Sequence, residues 1–135
     1  MFRKLDDSIS VAGQITPADV TDAAAQGFTF VINNRPDDEQ PGQPAGSTIE
    51  AAARAVGMGY CAIPITHAGF SEDQVTAMRD ALEAAGGPVL AFCRSGTRST
   101  LIWALARAKM GDGADMLAAK AQAAGYDLAP VRTLL

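Results

Sequence analysis

Gly86-Gly87-Pro88-Val89-Leu90-Ala91-Phe92-Cys93-Arg94-Ser95-Gly96-Thr97-Arg98-Ser99 joins a short apolar run to a loop of glycine, hydroxyl and cationic residues. Residues 88–92, entered from paired glycines, read as a buried strand. From Thr97 to Met110, the residues Leu101, Ile102, Leu105 and Ala108 recur at helical spacing and stop before Gly111. Cys93 therefore stands where a strand gives way to a helix. The N–H groups of a turn feeding a helix N-terminus lack intrahelical acceptors, so they converge on a pocket that favours negative charge. A thiolate gains from the same field, and such a placement beside arginines lowers a cysteine pKa from about 8.5 to about 3.5–7.5.

The loop's other side chains suit an anion. Arg98 offers a planar fork of donors, Arg94 adds longer-range attraction, and Gly96 lets the backbone approach a ligand closely. The hydroxyls of Ser95, Thr97 and Ser99 are candidates to bond the sulfur or the anion. Cys-Arg-Ser-Gly-Thr-Arg-Ser is a poor filling for an apolar core, which favours a reactive cysteine over a merely packed one.

Working outward, strands alternate with helices. Residues 8–13 read as a short edge strand, and Thr16-Pro17-Ala18-Asp19 as a capped helix start ending at Gly27. Residues 28–32, aromatic and β-branched, read as a central strand that runs into Asn33-Asn34-Arg35-Pro36. Residues 37–46 are an exposed loop, and Ser47-Thr48-Ile49-Glu50 a second capping box whose helix stops at Gly57. A third strand covers residues 60–65. Phe70-Ser71-Glu72-Asp73-Gln74-Val75 opens a helix with the stripe Val75, Met78, Leu82 and Ala85, and a last helix spans residues 112–124. Glu72 and Asp73 read as first-turn charges favoured by the helix dipole.

The pattern predicts an α/β domain, a mainly parallel sheet flanked by helices, occupying residues 1–135 as one unit. In such sheets ligands bind beyond the carboxyl ends of strands. Asn34, Arg35 and Glu39 follow one strand end, His67 another and Cys93 a third, so a shared rim is expected. There Arg35 would orient the substrate or pair with Glu39, and His67 is an accessory candidate for proton transfer. Cys61 and Trp103 read as packing, with Cys61 too far from Cys93 for a disulfide.

With 135 residues, 48% hydrophobic, the chain can bury a real core, and its net charge of −4 with no basic run argues against nucleic acid or an anionic membrane surface as partner. Residues 1–7 lack the apolar core of a signal peptide, and no stretch approaches the roughly 18 apolar residues of a membrane span. A cytoplasmic protein with reduced thiols is expected. One histidine and two cysteines provide no metal-ligand spacing, and neither a metal nor another cofactor is expected.

Val11-Ala12-Gly13-Gln14-Ile15-Thr16-Pro17, Gly27-Phe28, Val31-Ile32-Asn33-Asn34-Arg35-Pro36, Ile63-Pro64-Ile65 and Phe92-Cys93-Arg94-Ser95-Gly96-Thr97-Arg98-Ser99 together resemble the phosphatase-like domain of beta-lactamase-hydrolase-like proteins, also described as a small sulfurtransferase family. The resemblance implies the fold of cysteine-dependent dual-specificity phosphatases, with Cys93 as nucleophile and Arg98 as anion binder. Two features depart from the phosphatase pattern. Four residues, not five, separate Cys93 from Arg98, with Phe92 where a histidine is usual. Thr66-His67-Ala68-Gly69 also holds no aspartate to protonate a leaving alkoxide.

The shorter loop is similar to those of rhodanese-type sulfurtransferases, whose leaving groups need no acid. The first expectation is therefore a Cys93 persulfide formed from a small anionic sulfur donor, thiosulfate or a low-molecular-weight persulfide, and passed to a thiol acceptor. This reading requires a Cys93 open to solvent with Arg98 facing it. The alternatives are a cysteine phosphatase acting on aryl or protein phosphate esters through a Cys93 phosphocysteine, and a non-catalytic anion-binding module.

Overall fold

Strands of four residues suffice here because helices cover the sheet on both faces. The computed structural model describes residues 2–135; Met1, the first residue of the stretch read against a signal peptide, lies outside the described residues. The elements in chain order are β1 (Arg3–Asp6), β2 (Ile9–Ala12), α1 (Pro17–Ala25), β3 (Phe30–Asn33), α2 (Gly46–Ala55), β4 (Gly59–Ala62), α3 (Glu72–Ala84), β5 (Val89–Phe92), α4 (Thr97–Lys109) and α5 (Ala114–Ala123). A 3-10 helix, Ala129–Leu134, follows. The sheet order is β1-β2-β5-β3-β4, with β2, β5, β3 and β4 parallel and β1 antiparallel to β2. Among the described residues no helix is long and apolar enough to cross a membrane.

The two-residue period of β5 divides the core. Val89 and Ala91 face α3, α4, α5 and the 3-10 helix through Met78, Ile102, Leu117 and Val131. Leu90 and Phe92 face α1 and α2 through Val20, Ala23, Ile49 and Ala53. Every residue of β5 is buried, as a parallel strand covered on both sides requires. Helix α4 is enclosed in turn, with every residue from Ser99 to Ala106 buried. Trp103 is fully buried there as packing, its indole N–H without an acceptor among the described residues.

Four local expectations are corrected. Residues 8–13 hold an interior strand, β2, because Arg3–Asp6 pairs outside it and takes the edge. Helix α2 starts at Gly46 with Ala45 as cap: the Asp37 carboxylate accepts the Gly46 N–H at 2.8 Å, so Ser47 does not cap. The third strand closes at Ala62; Ile63 and Ile65 continue only as single donors to Asn33 O and Asn34 O. Helix α5 begins at Ala114, not Asp112, whose carboxylate is engaged by Arg107 at 2.8 Å.

Candidate active site

Strand β5 stops at Phe92 and α4 starts at Thr97, so Cys93, Arg94, Ser95 and Gly96 form the turn between them. Gly96 caps α4 with φ of +90°, a conformation in which a Cβ is strained. Its N–H donates to the Cys93 sulfur at 3.1 Å. The turn rests on the end of β2: the Cys93 N–H bonds Ala12 O and the Gln14 N–H bonds Arg94 O, each at 3.3 Å. A Cβ at Gly13 would stand 3.0 Å from Arg94 O, a tight contact that shows how closely the two segments are seated. Cys93 is 1% exposed, so the sulfur lies on the floor of the turn.

Arg98, one residue into α4, is held in a fixed pose. Its Nη1 and Nη2 donate to the two oxygens of Glu39 at 2.7 and 2.8 Å, and Nη1 donates also to Ile65 O at 2.7 Å. Of the five N–H donors of a guanidinium, Glu39 and Ile65 O take three, and the Nε–H and one on Nη2 lie outside these bonds. Glu39 is gripped a second time by Arg35, whose Nε donates to it at 2.9 Å. Hydrogen bonding to Arg98, and then to Arg35, outweighs burial and holds the Glu39 carboxyl down at about 2. The Arg98 pKa is raised in return, by Glu39 first and, against burial, with Cys93 acting in the same direction.

The other candidates separate. The Arg35 side chain is 2% exposed and its remaining nitrogens donate to Gln14 and Gln40 at 3.0 Å, so it braces Glu39 and presents no free fork to a ligand. Ser95 and Thr97 are exposed at the mouth of the turn and bond one another at 3.1 Å. Ser99 points away from the sulfur: fully buried, it donates to Asn34 Oδ1 at 2.8 Å, while Asn34 Nδ2 donates to Ile63 O at 3.0 Å. Arg94 is exposed. The space that the missing Cβ of Gly96 leaves is taken by the Tyr126 hydroxyl, not by the mouth of the turn.

His67 is exposed at the tip of a tight turn from Thr66 to Gly69, with no hydrogen bond from its ring among the described residues. Glu72 pairs with Lys109, and Asp73 is exposed in the first turn of α3, in keeping with first-turn charges. Cys61 is a free thiol whose pKa burial pushes up to about 11. Its strand neighbours β3, and the strand ending at Cys93 lies one strand further on. The Arg35–Glu39 pairing offered by the sequence forms, whereas the grip of Glu39 on Arg98 and the contacts of Gln14 and Tyr126 have no counterpart in it. The four-residue step from Arg35 to Glu39 was the one local signal for the clamp.

A cysteine at the end of a central parallel strand, a turn whose Gly96 N–H donates to its sulfur and an arginine on the next helix define the cysteine-phosphatase fold. The solved structures that share it include Tk-PTP in its active form, with TM-score 0.74, 18% identity, and coverage of 98% of this chain and 90% of that one. They also include a candidate phosphatase from Neisseria meningitidis Z2491, with TM-score 0.85, 36% identity, and coverage of 97% and 93%. The family model described as "Beta-lactamase hydrolase-like protein, phosphatase-like domain" matches residues 1–110, and the chain belongs to that family. A beta-lactamase hydrolase-like protein of Agrobacterium fabrum is 38% identical over 108 residues, 80% of this chain and 25% of its own length. One from Xylella fastidiosa strain Temecula1 is 32% identical over 134 residues, 97% of this chain and 31% of its own. The chain thus spans about a quarter to a third of these relatives.

These comparisons overturn the sulfur-transfer reading, since family and fold neighbours alike are phosphatase-like. The physical reason is that a short loop and a missing acid do not distinguish a sulfonate from a phosphoryl group, both tetrahedral oxyanions suited to the same amides and guanidinium. Cys93 is also covered, against the open sulfur which that reading requires.

Proposed function

We propose that residues 1–135 act as one cysteine-dependent phosphatase domain for phosphate monoesters with acidic leaving groups, aryl phosphates and phosphotyrosine above all. The observation that carries the reading is the Gly96 N–H seated on the Cys93 sulfur beside an Arg98 whose pose Glu39 fixes. A fold neighbour, a cysteine-to-serine variant of P. aeruginosa TpbA, was crystallised in complex with pTyr, which supports the substrate class.

In this reading the Cys93 thiolate attacks phosphorus, the S–P bond forms, and the P–O bond breaks with its electron pair going to the departing oxygen. A phenolate leaves as a stable anion and takes its proton from water, so the lack of an acidic residue in Thr66–Gly69 is tolerated. Water then attacks the phosphocysteine, the S–P electron pair returns to sulfur, and inorganic phosphate and a proton are released. The unengaged N–H groups of Arg98 and the turn amides stabilise the equatorial oxygens.

The test is hydrolysis of p-nitrophenyl phosphate and of phosphotyrosine and phosphoserine peptides. Turnover of the two aryl esters, little of the alkyl ester, complete loss in Cys93→Ser and a loss of about 10²–10³ in kcat in Arg98→Lys are expected. Phosphate release that survives Cys93→Ser would sink the reading.

A further inference from the structure

Tyr126 lies beyond the residues that the family model matches and outside every motif described above. It is half-buried, and its hydroxyl donates to Ser95 O at 3.0 Å. The Ser95 carbonyl and the Gly96 N–H belong to one planar peptide unit, in which oxygen and hydrogen point in opposite directions. That N–H is the donor on the Cys93 sulfur. One plane is therefore held from both ends, by a phenol on its oxygen and a sulfur on its hydrogen.

We propose that Tyr126 is a positioning residue, which locks the Ser95–Gly96 peptide with its N–H on the Cys93 sulfur by donating to Ser95 O. Three observations bear on it. A Cβ at Gly96 would fall on the Tyr126 hydroxyl, so the glycine makes room for this tyrosine. The Arg3 guanidinium lies over the Tyr126 ring, 5.7 Å from its centroid, and is itself tied to Ala124 O at 3.0 Å, which helps to hold the ring in place. Burial, against the pull of Arg3, raises the Tyr126 pKa, and Cys93 adds to the rise, so the phenol keeps the proton it donates. A donor on the carbonyl also polarises the peptide and strengthens its N–H toward a thiolate.

The inference rests on the reading of Cys93 as a reactive thiol, and alkylation separates the two. In a Cys61→Ser background, iodoacetate labelling of Cys93 is followed by intact mass at pH 6 and pH 9, with thermal melts alongside. Tyr126→Phe is expected to slow labelling at pH 6 by about 3- to 10-fold, the equivalent of one weakened hydrogen bond, with rates converging at pH 9. In the aryl phosphate assay kcat should fall with KM little changed. An unchanged ratio of the two labelling rates in folded Tyr126→Phe overturns the proposal. If the parent itself labels only at pH 9, the reactive-thiol reading is what fails. Should Tyr126→Phe not fold, Arg3→Met keeps the phenol and loosens its seat: a smaller change in the same direction supports the lock, and no change overturns it.

Discussion

Glu39 sets the acid limit of the clamp on Arg98. Its carboxyl, ordinarily near 4.5, is held at about 2 by Arg98 first and Arg35 second. A folded-state pKa below the unfolded value contributes stability that is complete above the unfolded value and vanishes as pH falls through the folded one. Urea melts of the parent and Glu39→Gln should therefore differ by a constant amount above pH 5, and the difference should shrink between about 4.5 and 2. Activity of Glu39→Gln should fall at every pH because Arg98 loses its bidentate anchor. A gap in stability that widened on acidification would contradict the clamp.

At the scale of elements, the turn before α4 depends on a glycine for two reasons at once: a φ of +90°, and the Tyr126 hydroxyl where a Cβ would stand. Gly96→Ala should destabilise by about 1–3 kcal/mol, read from chemical denaturation, and reduce aryl phosphate turnover. What the sequence disclosed divides along the same line between local and distant interactions. The capping boxes of Thr16 with Asp19 and Ser71 with Gln74 form as read, because three residues carry the whole interaction. Strand β1 was hidden in Arg3-Lys4-Leu5-Asp6, where one buried leucine among charges has no period of its own and pairing with β2 makes the strand. Ser47 lost its cap to Asp37, which reaches Gly46 across the intervening loop. The nucleophile turn was legible from its own residues. The Arg98–Glu39 clamp joins positions 59 apart and the Tyr126 bond positions 31 apart, and neither leaves a local pattern.

Across the whole molecule, the segment beyond the family match is part of the core. Leu117, Ala121, Leu128 and Val131 are buried against the face of the sheet that carries α3 and α4. Leu117→Ala should cost about 2–5 kcal/mol, measured by denaturant midpoint, with a single transition retained. The sheet order has a further consequence. With β3 between the strand holding Cys61 and the strand ending at Cys93, the two sulfurs are separated by a full strand's width beyond direct pairing. Peroxide that converts Cys93 to a sulfenic acid therefore finds no second thiol in the chain to condense with. Inactivation by mild peroxide should be reversed by added glutathione or dithiothreitol and be the same in Cys61→Ser, and such treatment should never yield an internal cross-link in the mass spectrum.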